Sequence, residues 1–134
     1  MRYKIMIVDD DHIALFLHQT VISDFGVKND PESFSSALQL LDRLETDREM
    51  DTEYLIMLDI NMPVKNGWSL LEDLTAHPLF SKMHVVMVSS SVEPSDQQRA
   101  FSYKIVSDFI IKPLNEDQLT RIKNIKNLEP FFTN

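Results

Sequence analysis

Apolar residues along the chain alternate between short aliphatic or β-branched runs and longer stretches in which apolar positions recur every three or four residues. The short runs are Ile5-Met6-Ile7-Val8, Leu55-Ile56-Met57-Leu58, Val85-Val86-Met87-Val88 and Phe109-Ile110-Ile111. Together with a weaker segment over 27–34, they predict five strands. Pro31 cannot donate to a ladder, so the second strand is expected at an edge or to be irregular. In the intervening stretches Ile13, Leu17 and Val21 recur at four-residue intervals. Ala37, Leu40, Leu41 and Leu44 form a three-four stripe, Trp68, Leu71 and Leu74 a shorter one, and Leu119, Ile122 and Ile125 repeat every three. Each stripe is expected to lie on a sheet face. Polar residues dominate 93–104, which predicts a short or mobile fourth helix.

Punctuation supports the same division. Asn66-Gly67 reads as the turn into the third helix and His77-Pro78 as its close. Pro94 suits a first-turn position, and Asn115 to Gln118 reads as a capping box. The order βαβαβαβαβα predicts a five-stranded parallel sheet with right-handed crossovers and helices on both faces, the doubly wound α/β class called flavodoxin-like. No repeat, low-complexity tract or linker stands out. One domain over 1–128 is expected, with 129–134 as a short C-terminal tail. That architecture hosts unrelated chemistries, so it leaves function open.

Composition narrows the classes. At 134 residues and 43% hydrophobic content the chain can bury an ordinary core. It has no cysteine, hence no disulfide framework, thiolate metal site or thiol nucleophile. The first apolar run is too short for a signal peptide and no stretch approaches a membrane span, so a soluble, cytoplasmic protein is expected. A formal net charge of −8 opposes attraction to nucleic acid or to an anionic membrane surface. Asp47, Glu49, Asp51 and Glu53 stand against Arg48 alone, a segment read as a solvated loop.

The chemistry lies at the strand ends. Asp9 and Asp10 follow the first run, Asp59 the second, Ser89 the third and Lys112 the last. In an open parallel sheet the carboxyl ends share one edge, and ligands bind in the crevice there. Three carboxylates brought together resist joint ionisation unless a cation neutralises them. Oxygen donors without histidine or cysteine suit Mg²⁺, a backbone carbonyl serving as a further ligand. Lys112 could then hold a phosphoryl oxygen and the Ser89 hydroxyl another. A carboxylate is left as the group that accepts phosphorus, giving an aspartyl phosphate. Singly, each residue has a duller use: Asp10 or Asp11 as a helix cap, Asp59 and Ser89 in turns, Lys112-Pro113 as an exposed turn. Their joint occurrence at four strand ends favours the chemical reading. His12 and His18 lack the spacing that puts two ligands on one helix face, and Trp68 and the methionines are expected to pack.

With those residues in view, the chain resembles the receiver domain of two-component response regulators over essentially its whole length. The segments MIVDDD, LDINMP, NG, VMVSS and FIIKPL occur in the family's order. The resemblance implies that Asp59 is the phosphoacceptor and that Asp10 and Asp59 ligate Mg²⁺ with the Asn61 backbone carbonyl. Asp9 would hold the metal through water. It implies that Lys112 binds the phosphoryl group, that Ser89 swings toward that group while Phe109 turns inward, and that Lys112-Pro113 is cis. The implied donor is a histidine kinase or histidine phosphotransfer protein. The implied output is altered contact with another protein, through the fourth and fifth helices and the fifth strand of a stand-alone receiver. Such a protein catalyses its own phosphorylation and otherwise signals rather than turning over a substrate.

Some positions depart from the commonest family pattern. Ser89 stands where threonine is more frequent, and Tyr103-Lys104-Ile105 where many relatives have a glycine-containing turn. Asn61 and Ser91 occupy positions at which family members differ in how water reaches the acyl phosphate. Three other classes fit these residues less well. A haloacid-dehalogenase-type Mg²⁺ phosphatase would use Asp9 and Asp11 but leave Asp59 idle. A receiver-shaped interaction module that is never phosphorylated would lack a pocket residue, and none is lacking. A flavin carrier would need a phosphate-cradling Ser, Thr and Gly run after the first strand, which is absent.

Overall fold

The computed structural model describes residues 1–47 and 51–133. The strands are β1 (Arg2–Val8), β2 (Glu32–Phe34), β3 (Thr52–Leu58), β4 (Met83–Ser89) and β5 (Val106–Ile111). The α-helices are α1 (His12–Phe25), α2 (Ala37–Thr46), α3 (Gly67–Thr75), α4 (Pro94–Phe101) and α5 (Glu116–Lys123), with short 3-10 turns at Phe80–Lys82 and Glu129–Phe131. All five strands run parallel in one sheet of order β2-β1-β3-β4-β5. This is the doubly wound, flavodoxin-like architecture. No helix among the described residues is long and apolar enough to cross a membrane.

Period-two alternation divides the core between the two sheet faces. Met6, Val8, Tyr54, Ile56, Val85 and Met87 face α2, α3 and α4, where Leu40, Leu71 and Ala100 meet them. Ile5, Ile7, Leu55, Met57, Val86 and Val88 pack with Leu15, Ile22, Leu119 and Ile122 of α1 and α5. The central strands are buried on both sides, which is why their sequences are continuous apolar runs.

Local chemistry marks the helix ends. Asp11 caps α1, its carboxylate accepting from the Ile13 and Ala14 amides. Asn66 caps α3, Pro94 occupies the first turn of α4, and Asn115 with Gln118 closes a capping box at α5. The strand carrying the residues after Pro31 has three residues and lies at the sheet edge. α4 is short, with Ala100 as its buried residue.

Three expectations are corrected. In α1 the stripe Ile13, Leu17 and Val21 does not face the sheet as a unit: Ile13 is 72% and Leu17 53% exposed, Val21 packs partly against the core, and the buried residues are Leu15, His18 and Ile22. This helix is apolar on most of its circumference, so spacing alone could not select the buried side, and the polar His18 concealed it. The acidic segment is not a solvated loop throughout, because Asp47 is buried on Lys4 at 2.6 Å and Glu53 lies within β3. Arg48 and Glu49 of that segment lie outside the described residues. Finally, packing continues past 128. Phe131 and Phe132 are buried, the Lys28 amide donates to the Phe131 carbonyl at 3.2 Å, and Val27 forms an antiparallel bridge to Phe132. The residues read as a tail extend the core beneath α1 and α5.

Candidate functional site

Strand register builds the site. Val8 pairs with Leu58, so Asp9 and Asp59 emerge next to one another at the carboxyl edge, and the Asp59 amide donates to the Val8 carbonyl at 3.0 Å. Ser89 pairs with Ile111, and the Lys112 amide donates to the Ser89 carbonyl at 2.8 Å. The side chains of Asp9, Asp10 and Asp59 each place a carboxylate oxygen within 4.8 Å of the others. Asp9 and Asp59 are buried and Asp10 is exposed. Lys112 reaches in from the end of β5, its Nζ donating to Asp9 Oδ2 at 2.7 Å and lying 3.4 Å from Asp59 Oδ1. The other Asp9 oxygen accepts from the Asp11 amide at 2.9 Å.

One ammonium among three carboxylates leaves the cluster short of positive charge. Burial, and then the charge of Asp9, push the Asp59 carboxyl up to about 6, against the pull of Lys112. For Lys112 burial disfavours the ammonium, but the hydrogen bond to Asp9 and the charges of Asp59 and Asp9 outweigh it and hold its pKa above the ordinary lysine value. An all-oxygen, acid-rich crevice that raises a carboxyl this way fits a hard divalent cation.

Ser89 is fully buried, and its Oγ accepts from the Ser91 amide at 3.0 Å. Among the described residues no hydrogen bond joins the Ser89 hydroxyl to the side chains of Asp59 or Lys112. Asn61 lies exposed two residues after Asp59, and Lys112-Pro113 is cis. Phe109 needs no inward turn to be buried here. It is 6% exposed and packs in the same cluster as Met87, Ala100 and Val106. Asp11, whose spacing from Asp9 suited a phosphatase, is instead occupied at the start of α1, outside the acidic group.

Three neighbours escaped the sequence reading. Gly67 opens α3 against the backbone of the phosphoacceptor candidate: a Cβ there would sit 2.5 Å from the Asp59 carbonyl oxygen and 2.8 Å from Ile60 Cα. Its sequence signal is the Asn-Gly turn, which carries no mark of the close approach to Asp59. Val64 adopts φ +67°, with the Lys65 amide donating to the Pro63 carbonyl at 2.7 Å, a tight turn that a β-branched residue rarely enters. His18 is buried on α1, its imidazole held below the ordinary value by burial and by Lys112, with Asp9 and Asp11 opposing. A polar residue on an apolar helix carries no local mark of burial.

The family model described as the response regulator receiver domain matches residues 5–124. Among solved structures, the chain is similar to a two-component response regulator from Cytophaga hutchinsonii (TM-score 0.84, 30% identity, covering 92% of this chain and 95% of that one). It is also similar to a response regulator receiver protein from Dyadobacter fermentans (TM-score 0.80, 25% identity, covering 90% and 94%). Curated relatives include the protein RcaC of Microchaete diplosiphon, 30% identical over 87% of this chain, and the transcriptional regulatory protein MalR of Bacillus subtilis, 34% identical over 82%. The chain spans 17% of the former's length and 44% of the latter's.

Proposed function

Because the chain belongs to the response regulator receiver domain family, we propose that it is a phosphoacceptor switch in which Asp59 takes a phosphoryl group from a histidine kinase or phosphotransfer protein in a Mg²⁺-dependent reaction. The observation that carries this reading is the buried Asp59 carboxylate within reach of Asp9, Asp10 and a single ammonium, Lys112. Mg²⁺ would be held by Asp10, Asp59 and the Asn61 carbonyl, with Asp9 acting through water. When bound it would neutralise the acids and a phosphoryl group's oxygens.

In the transfer, an Asp59 carboxylate oxygen attacks phosphorus. The bond from phosphorus to the donor's imidazole nitrogen breaks, and its electron pair stays on that nitrogen. Formation of the acyl phosphate removes the negative charge of the Asp59 carboxylate, so the Lys112 ammonium can turn to a phosphoryl oxygen while Asp9 keeps it in the crevice. The Ser89 hydroxyl would leave the Ser91 amide and donate to a second oxygen. Positioning and charge neutralisation supply the rate, since the transferred group needs little else from the protein. The new dianion makes contacts available in one conformation and so shifts a population that already exists. A downstream protein in the cytoplasm would read that shift through altered contacts, and no substrate other than the domain itself would be turned over.

Intact-protein mass after incubation with acetyl phosphate tests the reading. Gain of one phosphoryl group by the parent with Mg²⁺, and by neither the metal-free sample nor Asp59→Asn, is expected. Absence of any gain would favour an interaction module that is not phosphorylated.

A further inference from the structure

The segment joining β4 to α4 is held by a chain of side-chain hydrogen bonds that begins at the pocket. Ser89 Oγ accepts from the Ser91 amide at 3.0 Å. Ser91 Oγ in turn donates to Asp96 Oδ2 at 2.6 Å and accepts from the Glu93 amide at 3.2 Å. Asp96 lies in the first turn of α4, where the helix dipole favours a carboxylate. Glu93, the residue before that turn, makes no side-chain cap, so the Asp96 and Ser91 side chains fasten the start of the helix to the loop alongside the bond from the Asp96 amide to the Glu93 carbonyl at 3.1 Å.

The far end of α4 is tied to α3 independently. The Arg99 guanidinium lies 4.3 Å from the centre of the Trp68 ring, Trp68 stacks on Tyr103 with centroids 6.5 Å apart, and the Tyr103 hydroxyl donates to Glu72 at 2.5 Å. Ala100 of the same helix is buried in the core, so these contacts hold the far end of α4 apart from the loop's own hydrogen bonds. For Ser89 to turn its oxygen toward Asp59, it must give up the Ser91 amide while Asp96 still holds the Ser91 hydroxyl.

We propose that Asp96 is a positioning residue for the switch: through Ser91 it fixes the loop form in which the Ser89 oxygen is held by the Ser91 amide, and so sets how readily the pocket accepts a phosphoryl group. The role rests on the reading of Asp59 as phosphoacceptor. Asp96 touches neither the acidic cluster nor Lys112, and it acts by opposing one of the two loop forms. The 2.6 Å bond to an ionised carboxylate is charge-assisted, roughly twice as strong as its neutral counterpart. Asp96→Asn, which keeps an acceptor oxygen without the charge, should weaken the restraint, and Asp96→Ala should abolish it.

The experiment is calorimetric titration of beryllofluoride, a phosphoryl mimic, into the Mg²⁺-saturated parent, Asp96→Asn and Asp96→Ala, with Mg²⁺ titrated alone in parallel. Asp96→Ala is expected to bind beryllofluoride roughly three- to tenfold more tightly than the parent, with Asp96→Asn between them. Mg²⁺ affinity should stay within about twofold across the three proteins. A lower melting temperature with unchanged or weaker beryllofluoride binding would make Asp96 a helix-starting residue and overturn the proposal. A parent that takes up no beryllofluoride with Mg²⁺ present would overturn the phosphoacceptor reading and this role with it, an outcome distinct from a parent that binds and variants that do not differ from it.

Discussion

Among the described residues lysine meets buried carboxylate twice, near opposite ends of the sheet, and the two meetings differ in their stoichiometry of charge. Near the start of β1, Lys4 donates to Asp47 at 2.6 Å with both side chains almost withdrawn from solvent, and Arg43 adds a second cation at 3.9 Å. Arg43 also pairs with Glu32 at 2.8 Å, so positive and negative charge match there. At the carboxyl edge, Lys112 faces Asp9 and Asp59 with Asp10 close behind. Here the acids outnumber the cation, and burial first, then the charge of Asp9, make the Asp59 carboxyl resist ionisation despite Lys112. A neutralised pair is a structural fastening, whereas an under-neutralised cluster keeps an unmet demand for positive charge that a metal ion or a rearranged lysine can meet.

The largest effect should come from breaking the balanced pair. Asp47→Ala leaves the Lys4 ammonium buried without its partner and should cost about 3–5 kcal/mol, read as a fall in the urea midpoint. Replacing both residues, Lys4→Met with Asp47→Leu, should recover most of that loss; no recovery would mean that the pair does more than neutralise itself.

The unbalanced cluster should respond in the opposite sense. Asp59→Asn removes a carboxylate that burial disfavours, and at neutral pH it should stabilise the metal-free protein by up to about 3 kcal/mol while abolishing phosphoryl gain. Since the folded state raises this pKa, the parent's penalty is absent below the ordinary value of 3.8, where the carboxyl is neutral folded and unfolded alike. It grows as the unfolded chain ionises and is complete above about 6. Denaturant melts at acid and neutral pH should therefore show the gain only at the higher pH. A pH-independent gain would assign it to something other than ionisation.

A smaller effect tests how the crevice is shaped. Gly67→Ala forces a methyl against the Asp59 carbonyl and should cost about 1–3 kcal/mol, with slowed phosphoryl gain from acetyl phosphate as the second readout. Loss of stability with an unchanged rate would separate the start of α3 from the site's geometry.

Much of the pocket was legible because its members follow apolar runs, and a parallel sheet aligns the ends of such runs. Asp9, Asp59, Ser89 and Lys112 needed no more than strand assignment to be placed at one edge. What stayed hidden depends on contacts between residues far apart in sequence. Trp68 could be read as a packing residue, but its seat between Arg99 and Tyr103 could not. Nor did the serines after β4 announce their bond to Asp96, because runs of serine are ordinary turn chemistry.

The sequence by itself determined the alternation of strands and helices, the helix caps and the chemical identity of the pocket, since each rests on local spacing or on a residue's own functional groups. Tertiary structure decided which side of α1 is buried, that Asp47 is a core partner of Lys4, that Phe131 and Phe132 complete the packing, and that Phe109 lies inside. Those outcomes depend on which surfaces meet once the sheet has formed. A helix with apolar residues on most faces, or an acid near a lysine forty-three positions away, carries no local mark of its partner.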